Sequence, residues 1–121
     1  MKKLSLAITL IGAALSAGAS TSKTDLQLIG QQGVHYFFTL SKPWIEDQRY
    51  VGDTLTSFCS TKDVCIAHIW EKGQAAPTKF PLSDKEVSLE AATLQFNKNT
   101  KRSNLLWSCK KFPSAGKDQC F

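Results

Sequence analysis

Two cysteines and a histidine with the spacing Cys-x5-Cys-x2-His lie within residues 58–70, at Cys59, Cys65 and His68. Thiolates and a neutral imidazole are ligands that zinc prefers, so this stretch is a candidate metal site. The gap between the two cysteines is wider than in most zinc sites. On a strand, moreover, Cys65 and His68 would face opposite sides of the sheet. We therefore expect no metal ion here, and nothing else in the chain suggests a cofactor.

The two histidines of the chain, His35 and His68, are candidates for acid–base catalysis. A small secreted nuclease could use them as general base and general acid, with a cation to stabilise the negative charge of the transition state. Arg49 and Arg102 could supply that cation. Glu71 follows His68 on the same segment, but alternation along a strand places the two side chains on opposite faces. Strand histidines are more often packed than catalytic, so this interpretation is an alternative.

Basic residues are concentrated in the carboxyl-terminal quarter of the chain. The whole sequence has 15 Lys and Arg against 10 Asp and Glu, whereas residues 20–97 are slightly acidic. Such asymmetry can indicate a surface that binds an anionic partner, although a solvated lysine-rich loop and edge strand is the more frequent reason for it. The candidate binding residues are Lys98, Lys101, Arg102, Lys110 and Lys111.

The amino terminus has the pattern of a secretory signal peptide. Lys2 and Lys3 precede an apolar run over residues 4–15, and the small residues 17–19 fit a cleavage site. The apolar run is shorter than the roughly 20 residues that a membrane-spanning helix needs. We therefore predict that residues 1–19 are removed, that the mature chain has no integral membrane segment, and that it is periplasmic or extracellular in a bacterium.

The four cysteines all lie in the part of the chain that would be exported. An even number of cysteines in an oxidising compartment indicates two disulfides, and the absence of a C-x-x-C motif argues against a redox catalyst. Three pairings are possible. We favour Cys59–Cys65 with Cys109–Cys120, because each of these pairs encloses one turn, and leave crossed pairings such as Cys65–Cys109 open.

The pattern of apolar residues predicts one small α/β or α+β domain over residues 34–121, after a polar amino-terminal arm over residues 20–33. We expect about three strands with two helices packed on the sheet, in the order β-α-β-α-β, at residues 34–40, 43–59, 64–70, 83–96 and 104–109. The second helix should begin at a capping box formed by Ser83 and Glu86. In the alternative, residues 91–96 pair with residues 105–109 as a hairpin in a mostly β domain.

These observations favour an exported, disulfide-stapled domain that acts by binding rather than by catalysis. The expected partner is a protein in the envelope or outside the cell, for which the domain is an inhibitor or an accessory, and an anionic surface is a further candidate. Nucleic acid is not expected as a partner. Two alternatives stay open: a small secreted hydrolase of nuclease type that uses His35 and His68, and a structural accessory of an envelope complex.

Overall fold

Five strands form a mixed sheet in residues 25–121, the part of the chain that the computed structural model describes. The strands lie side by side in chain order. Strands β2 and β3 are parallel, and every other neighbouring pair is antiparallel. The strands are β1 (Gln27–Gln32), β2 (His35–Leu40), β3 (Val64–Glu71), β4 (Glu90–Asn97) and β5 (Arg102–Trp107).

Two helices of unequal length connect these strands. Helix α1 (Gln48–Cys59) follows a short 3-10 turn at Trp44–Glu46 and provides the crossover between the parallel strands β2 and β3. Helix α2 (Asp84–Leu89) is only six residues long and leads into β4. A second 3-10 turn, at Lys117–Gln119, lies near the end of the chain.

The prediction of three strands and two packed helices is therefore wrong in two segments. Residues 27–32 were expected in a polar arm or short helix, but they pair with β2 as an edge strand. Residues 90–97 were expected to continue the second helix, but they form β4 and make a hairpin with β5. This hairpin is the alternative that the sequence left open.

The second helix is short because its apolar residues are used in the sheet. Its predicted capping box does form, since the Ser83 hydroxyl accepts from the Glu86 amide and the Glu86 carboxylate accepts from the Ser83 amide. From Glu90 onward, however, the chain lies between β3 and β5, where both edges of its backbone find hydrogen-bond partners. A run of apolar residues fits a buried strand as well as a helix, so periodicity alone does not separate them.

Helix α1 covers one face of the sheet and forms the core with it. The Asp47 carboxylate caps the helix by accepting from the Tyr50 amide at 3.1 Å. Burying a large apolar side chain contributes about 1.5–3 kcal/mol, so this face supplies much of the stability of the domain. Its fully buried side chains include Leu40, Val51, Leu55, Ile69 and Leu94.

Both predicted disulfides are present, Cys59–Cys65 and Cys109–Cys120. The first ties the end of α1 to β3. The second holds the carboxyl-terminal segment beside the end of β5, where the Phe121 amide donates to the Trp107 carbonyl at 2.7 Å. The predicted signal peptide lies outside the described residues, and within residues 25–121 no helix is long and apolar enough to cross a bilayer.

The second face of the sheet is only half covered. The loop at residues 72–83 and helix α2 lie over the half near the end of β3, where the Trp70 indole N–H donates to the Glu86 carbonyl at 2.7 Å. Phe80, at the centre of this 72–83 loop, places its ring edge-on against the rings of His35, Phe37 and His68. Among residues 25–121, no loop or helix covers the half of the face near the start of β3 in this way.

The 72–83 loop is held against β1 at two points. The Phe80 amide donates to the Gln32 side-chain carbonyl at 2.6 Å. At Gly30, a Cβ atom would lie 2.7 Å from the Cα of Thr78, closer than real Cβ atoms approach backbone. Glycine is therefore required at position 30 for the loop to reach the position at which Phe80 meets the histidines.

We predict that Gly30→Ala destabilises the domain by about 1–3 kcal/mol, because the added methyl group pushes the 72–83 loop away from β1. Thermal or urea unfolding measures the change. Gly116→Ala is the matched control: it has no atom within 4 Å of its Cβ position and φ of −63°, so it should be neutral or slightly stabilising. Equal stability of the two variants would contradict this account of the loop.

Candidate functional site

A chain of hydrogen bonds links four side chains on the half-covered face of the sheet. The Nδ1 atom of His35 lies 2.9 Å from Nε2 of His68. The Nδ1 atom of His68 lies 2.7 Å from Oε1 of Glu90. The same carboxylate oxygen accepts from the hydroxyl of Thr93. We call His35, His68 and Glu90 the His–His–Glu chain.

The register of the parallel strands brings the two histidines together. Phe37 on β2 pairs with His68 on β3, and His35 lies two residues before Phe37 on the same face. The planes of the two imidazole rings are within 17° of parallel and their centroids are 5.2 Å apart. The two residues that the sequence proposed as an acid/base pair are therefore direct neighbours, although 33 positions separate them in the chain.

A β-bulge places Glu90 on the histidine face. Ile69 pairs with Ala92, but Trp70 pairs with Glu90, so Ala91 is an extra residue in β4. Glu90 and Thr93 are three residues apart and would face opposite sides of a regular strand. With the bulge, Glu90 and Thr93 face the same side of the sheet, and the Thr93 hydroxyl donates to the Glu90 carboxylate. Bulges often reorient a side chain in this way beside an active site.

The carboxylate that the sequence placed nearest to His68 is not its partner. Glu71 instead forms an ion pair with Lys42 at 3.6 Å. The sequence missed Glu90 because alternation counted from Ala92 or Thr93 assigns it to the core face. No pattern of residue types reveals a bulge at this position, so only the strand pairing in the structure identifies Glu90 as the partner of His68.

Burial differs along the His–His–Glu chain. His68 and Glu90 are each only 7% exposed, while His35 is partly exposed at the margin of the covered area. Burial lowers the pKa of the His35 imidazole, and the neighbouring His68 lowers it further. His35 is therefore the member that solvent or a ligand can reach, and it favours the neutral form.

The hydrogen bonds define which nitrogen of His35 is basic. An ionised Glu90 only accepts, so Nδ1 of His68 carries the proton in their hydrogen bond. In neutral His68 the Nε2 atom then accepts, and Nδ1 of His35 donates to it. Neutral His35 is left with an unprotonated Nε2, which has no hydrogen-bond partner among residues 25–121. This atom is the natural position for taking up a proton.

An open groove of about 380 Å³ lies on the same face of the sheet, and His35 is not among its lining residues but pairs with one of them, Ile66. Its floor contains Ile66, the strand neighbour of His35, and Ile66 pairs in turn with Gln95, which pairs with Asn104. His35 therefore begins a row of side chains that runs across the sheet into the groove. The groove is lined by Val64, Ile66, Gln95, Phe96, Asn97, Thr100, Arg102 and Asn104.

The five predicted binding residues fall into two separate groups. Lys98, Lys101 and Arg102 lie at the turn between β4 and β5, beside the groove, because Arg102 pairs with Asn97 at the end of the hairpin. The other two, at positions 110 and 111, follow the far end of β5, and the Lys111 ammonium lies 3.4 Å from the Gln74 side-chain oxygen. Of the five residues, only Arg102 therefore lines the groove on the histidine face, and Lys98 and Lys101 lie in the adjoining turn.

The candidate zinc ligands do not come together. Cys59 and Cys65 form a disulfide, and Cys65 is buried with α1 on the face opposite His68. Within residues 25–121 no group of three or more His, Cys, Asp or Glu side chains is arranged to hold a metal ion.

Comparison of the chain with protein-family models, curated proteins and solved structures found no match. The geometry of the His–His–Glu chain and of the adjoining groove is therefore the basis for a functional assignment.

We predict that Glu90→Gln destabilises the domain by about 1–3 kcal/mol, because an amide replaces a buried carboxylate that accepts two hydrogen bonds. The ¹⁵N shift of His68 Nδ1 should change with it. Glu71→Gln removes a carboxylate from the same sheet without touching the histidines. It should cost no more than about 1 kcal/mol and leave the His68 signal in place. An unchanged His68 signal in Glu90→Gln would contradict the hydrogen bond.

We further predict that part of the stability of the domain depends on neutral His35. Because the pKa of His35 is lowered from 6.5 in the folded state, the unfolded state binds more protons as the pH falls below that value. The free energy of unfolding should be highest above about pH 6.5 and should fall as the pH decreases through and below it. Urea unfolding at a series of pH values measures this slope, and His35→Asn should flatten it. An equal slope in both proteins, or an NMR titration of His35 above 6.5, would contradict the prediction.

Proposed function

We propose that the protein is a small exported hydrolase of nuclease type, in which His35 is the group that takes up and returns the proton. The observation that supports this proposal is the hydrogen-bonded chain from Glu90 through His68 to His35. With Glu90 ionised and both imidazoles neutral, this chain leaves the outer nitrogen of His35 unprotonated. The two disulfides are compatible with an oxidising compartment outside the cytoplasm.

The reaction begins when Nε2 of His35 accepts the proton of an attacking hydroxyl group or water. The oxygen then attacks phosphorus, the bond to the leaving ester oxygen breaks, and His35 returns the proton to that oxygen. Positive charge develops on the histidine pair while the proton is held. The Glu90 carboxylate stabilises this charge through His68, and it also fixes the tautomer and the orientation of both rings.

This arrangement differs from the acid/base pair that the sequence suggested. Two catalytic histidines on opposite sides of a phosphate would each contact the substrate. Here His68 uses both ring nitrogens within the protein, one with Glu90 and one with His35. His35 is therefore the catalytic residue of the proposal, and His68 and Glu90 are positioning residues that act through it.

The surroundings of His35 suit this chemistry. Phe80 and Phe37 shield the histidine rings from one side, which strengthens the electrostatic effect of the buried carboxylate. The open groove on the other side would admit a substrate, and Arg102, three strands across the sheet from His35, would provide a positive charge for a phosphate other than the reacting one. A binding function through Lys98, Lys101 and Arg102 is the second candidate, because these three residues also lie together at one end of the sheet.

We predict that His35→Ala lowers the rate of phosphodiester hydrolysis by at least about 100-fold, the usual contribution of a general acid–base group. Fluorogenic single-stranded RNA and DNA substrates measure the rate. His68→Gln and Glu90→Gln should lower kcat more than they raise KM and should shift the pH profile, since they act through His35. The double variant Lys110→Ala with Lys111→Ala is the control and should retain full activity.

Turnover that does not depend on His35 would contradict the catalytic proposal. Charge reversal at Lys101 and Arg102 separates it from the second candidate. The domain acts by binding if charge reversal at Lys101 and Arg102 abolishes a salt-sensitive complex with a protein partner. In that case the histidine variants should keep the complex and show no loss of phosphodiester hydrolysis.

A further inference from the structure

We propose that the groove beside His35 binds a single-stranded polynucleotide. The side-chain amides of Gln95 and Asn104 would contact base edges, and Arg102 would contact a phosphate. This inference deepens the proposed function by naming the class of substrate, and it rests on that function for the reaction that follows binding. The binding itself depends on different residues, so it can be tested apart from catalysis.

The groove offers the two kinds of contact that an unpaired nucleotide needs. Val64 and Ile66 provide apolar surface on its floor, against which the face of a base can pack. The amide side chains of Gln95 and Asn104 lie in one row across the sheet, directly beyond Ile66. An amide carries both donors and an acceptor, so it can pair with the exposed edge of a base in a single strand.

Charge in the lining matches a phosphate backbone. The lining contains one formally charged side chain, the guanidinium of Arg102, and no carboxylate. Lys98 and Lys101 are exposed in the adjoining turn. Arginine presents a planar set of donors that fits two phosphate oxygens at once, and single strands bind largely through such contacts together with packing of the bases.

The dimensions of the sheet place His35 and Arg102 on different nucleotides. Strand β2 and strand β5 are three strand intervals apart. At about 4.8 Å per interval, and with Arg102 two residues (about 7 Å) from Asn104 along β5, the separation is roughly 16 Å, the length of about five stacked nucleotides at about 3.4 Å each. Arg102 would therefore hold a phosphate several nucleotides from the one at which the reaction takes place beside His35, and the polynucleotide between them would lie across Ile66, Gln95 and Asn104.

An acidic peptide is the other polyanion to consider, and the lining favours the polynucleotide. Carboxylates of a peptide need donors only, whereas the amides of Gln95 and Asn104 present acceptors as well. A duplex is also a poorer match, because its paired bases offer neither a free edge of this kind nor an exposed face to the floor of the groove.

The test measures binding without turnover. Full-length mature protein carrying His35→Ala is titrated against a fluorescein-labelled single strand of about ten nucleotides with 2′-O-methyl sugars, and the anisotropy is followed at several salt concentrations. Adding Arg102→Gln should weaken binding about tenfold and lower the slope of log Kd against log salt by about 0.7, the value for one lost phosphate contact. Adding Lys110→Ala instead should change neither quantity.

A second variant guards against a change that only disturbs the fold. Asn104→Ala on the His35→Ala background removes one exposed amide and should weaken binding several-fold while the unfolding transition stays in place. Loss of discrimination between mixed-sequence strands should accompany it, whereas Arg102→Gln should weaken binding to all strands equally.

The outcomes separate this inference from the proposed function. The groove proposal is overturned if the single strand does not bind, if Arg102→Gln binds like the Lys110→Ala control, or if an acidic peptide of equal charge binds as tightly as the oligonucleotide. Binding that depends on Arg102 in a protein without hydrolysis dependent on His35 would support the groove and overturn the catalytic assignment. Hydrolysis that depends on His35 but is unaffected by the Arg102 and Asn104 variants would support the catalytic assignment and overturn the groove proposal.

Discussion

The hydrogen bond between Glu90 and His68 determines how one whole face of the sheet is organised. A carboxylate with 7% exposure would be costly to bury without partners, since it gives up its hydration. Here the Glu90 carboxylate is hydrogen-bonded to the imidazole of His68 and to the hydroxyl of Thr93. His68 can orient toward it only because Phe37 and Phe80 pack around its ring. The second nitrogen of His68 then fixes the orientation of His35. The need to compensate the buried Glu90 carboxylate therefore involves side chains on β2, β3, β4 and the 72–83 loop.

The two faces of the sheet perform different tasks as a result. The face under α1 is apolar and is closed by the helix and the first disulfide. The opposite face carries polar groups among aromatic rings, and it is covered over only half of its length. His35 lies at the boundary between the covered half and the open groove. On the shielded side of such a group, charge interactions are strong because solvent is excluded, and on its open side a ligand can reach it. Catalytic side chains commonly combine these two properties.

The sequence alone predicted the parts of this arrangement that depend on local patterns. The local disulfide pairing, the strands at β2 and β3, the helix before Cys59 and the capping box at Ser83 all follow from short-range spacing, and all are present. The histidines were identified as candidates by their type, but alternation within one strand gave no information on their separation. That separation depends on the register between β2 and β3, which is set by long-range packing.

Glu90 could not be predicted for a different reason, because one extra residue in β4 reverses the face that alternation assigns. The strand at residues 27–32 was missed because its polar residues suit an edge strand, whose sides are largely exposed.

The carboxyl-terminal segment has a consequence for how this sheet meets other chains. Strand β5 lies at an edge, and an edge strand presents unpaired amides and carbonyls that another sheet can extend. Here the last residues of the chain run beside the end of β5: Cys120 forms a parallel bridge with Trp107, and the Cys109 amide donates to the Phe121 carbonyl at 3.0 Å. The second disulfide holds them there. Cys120 and Phe121 therefore occupy part of the edge along which a second copy could add a strand, and the remaining edge carries the charged Arg102, which disfavours such an addition.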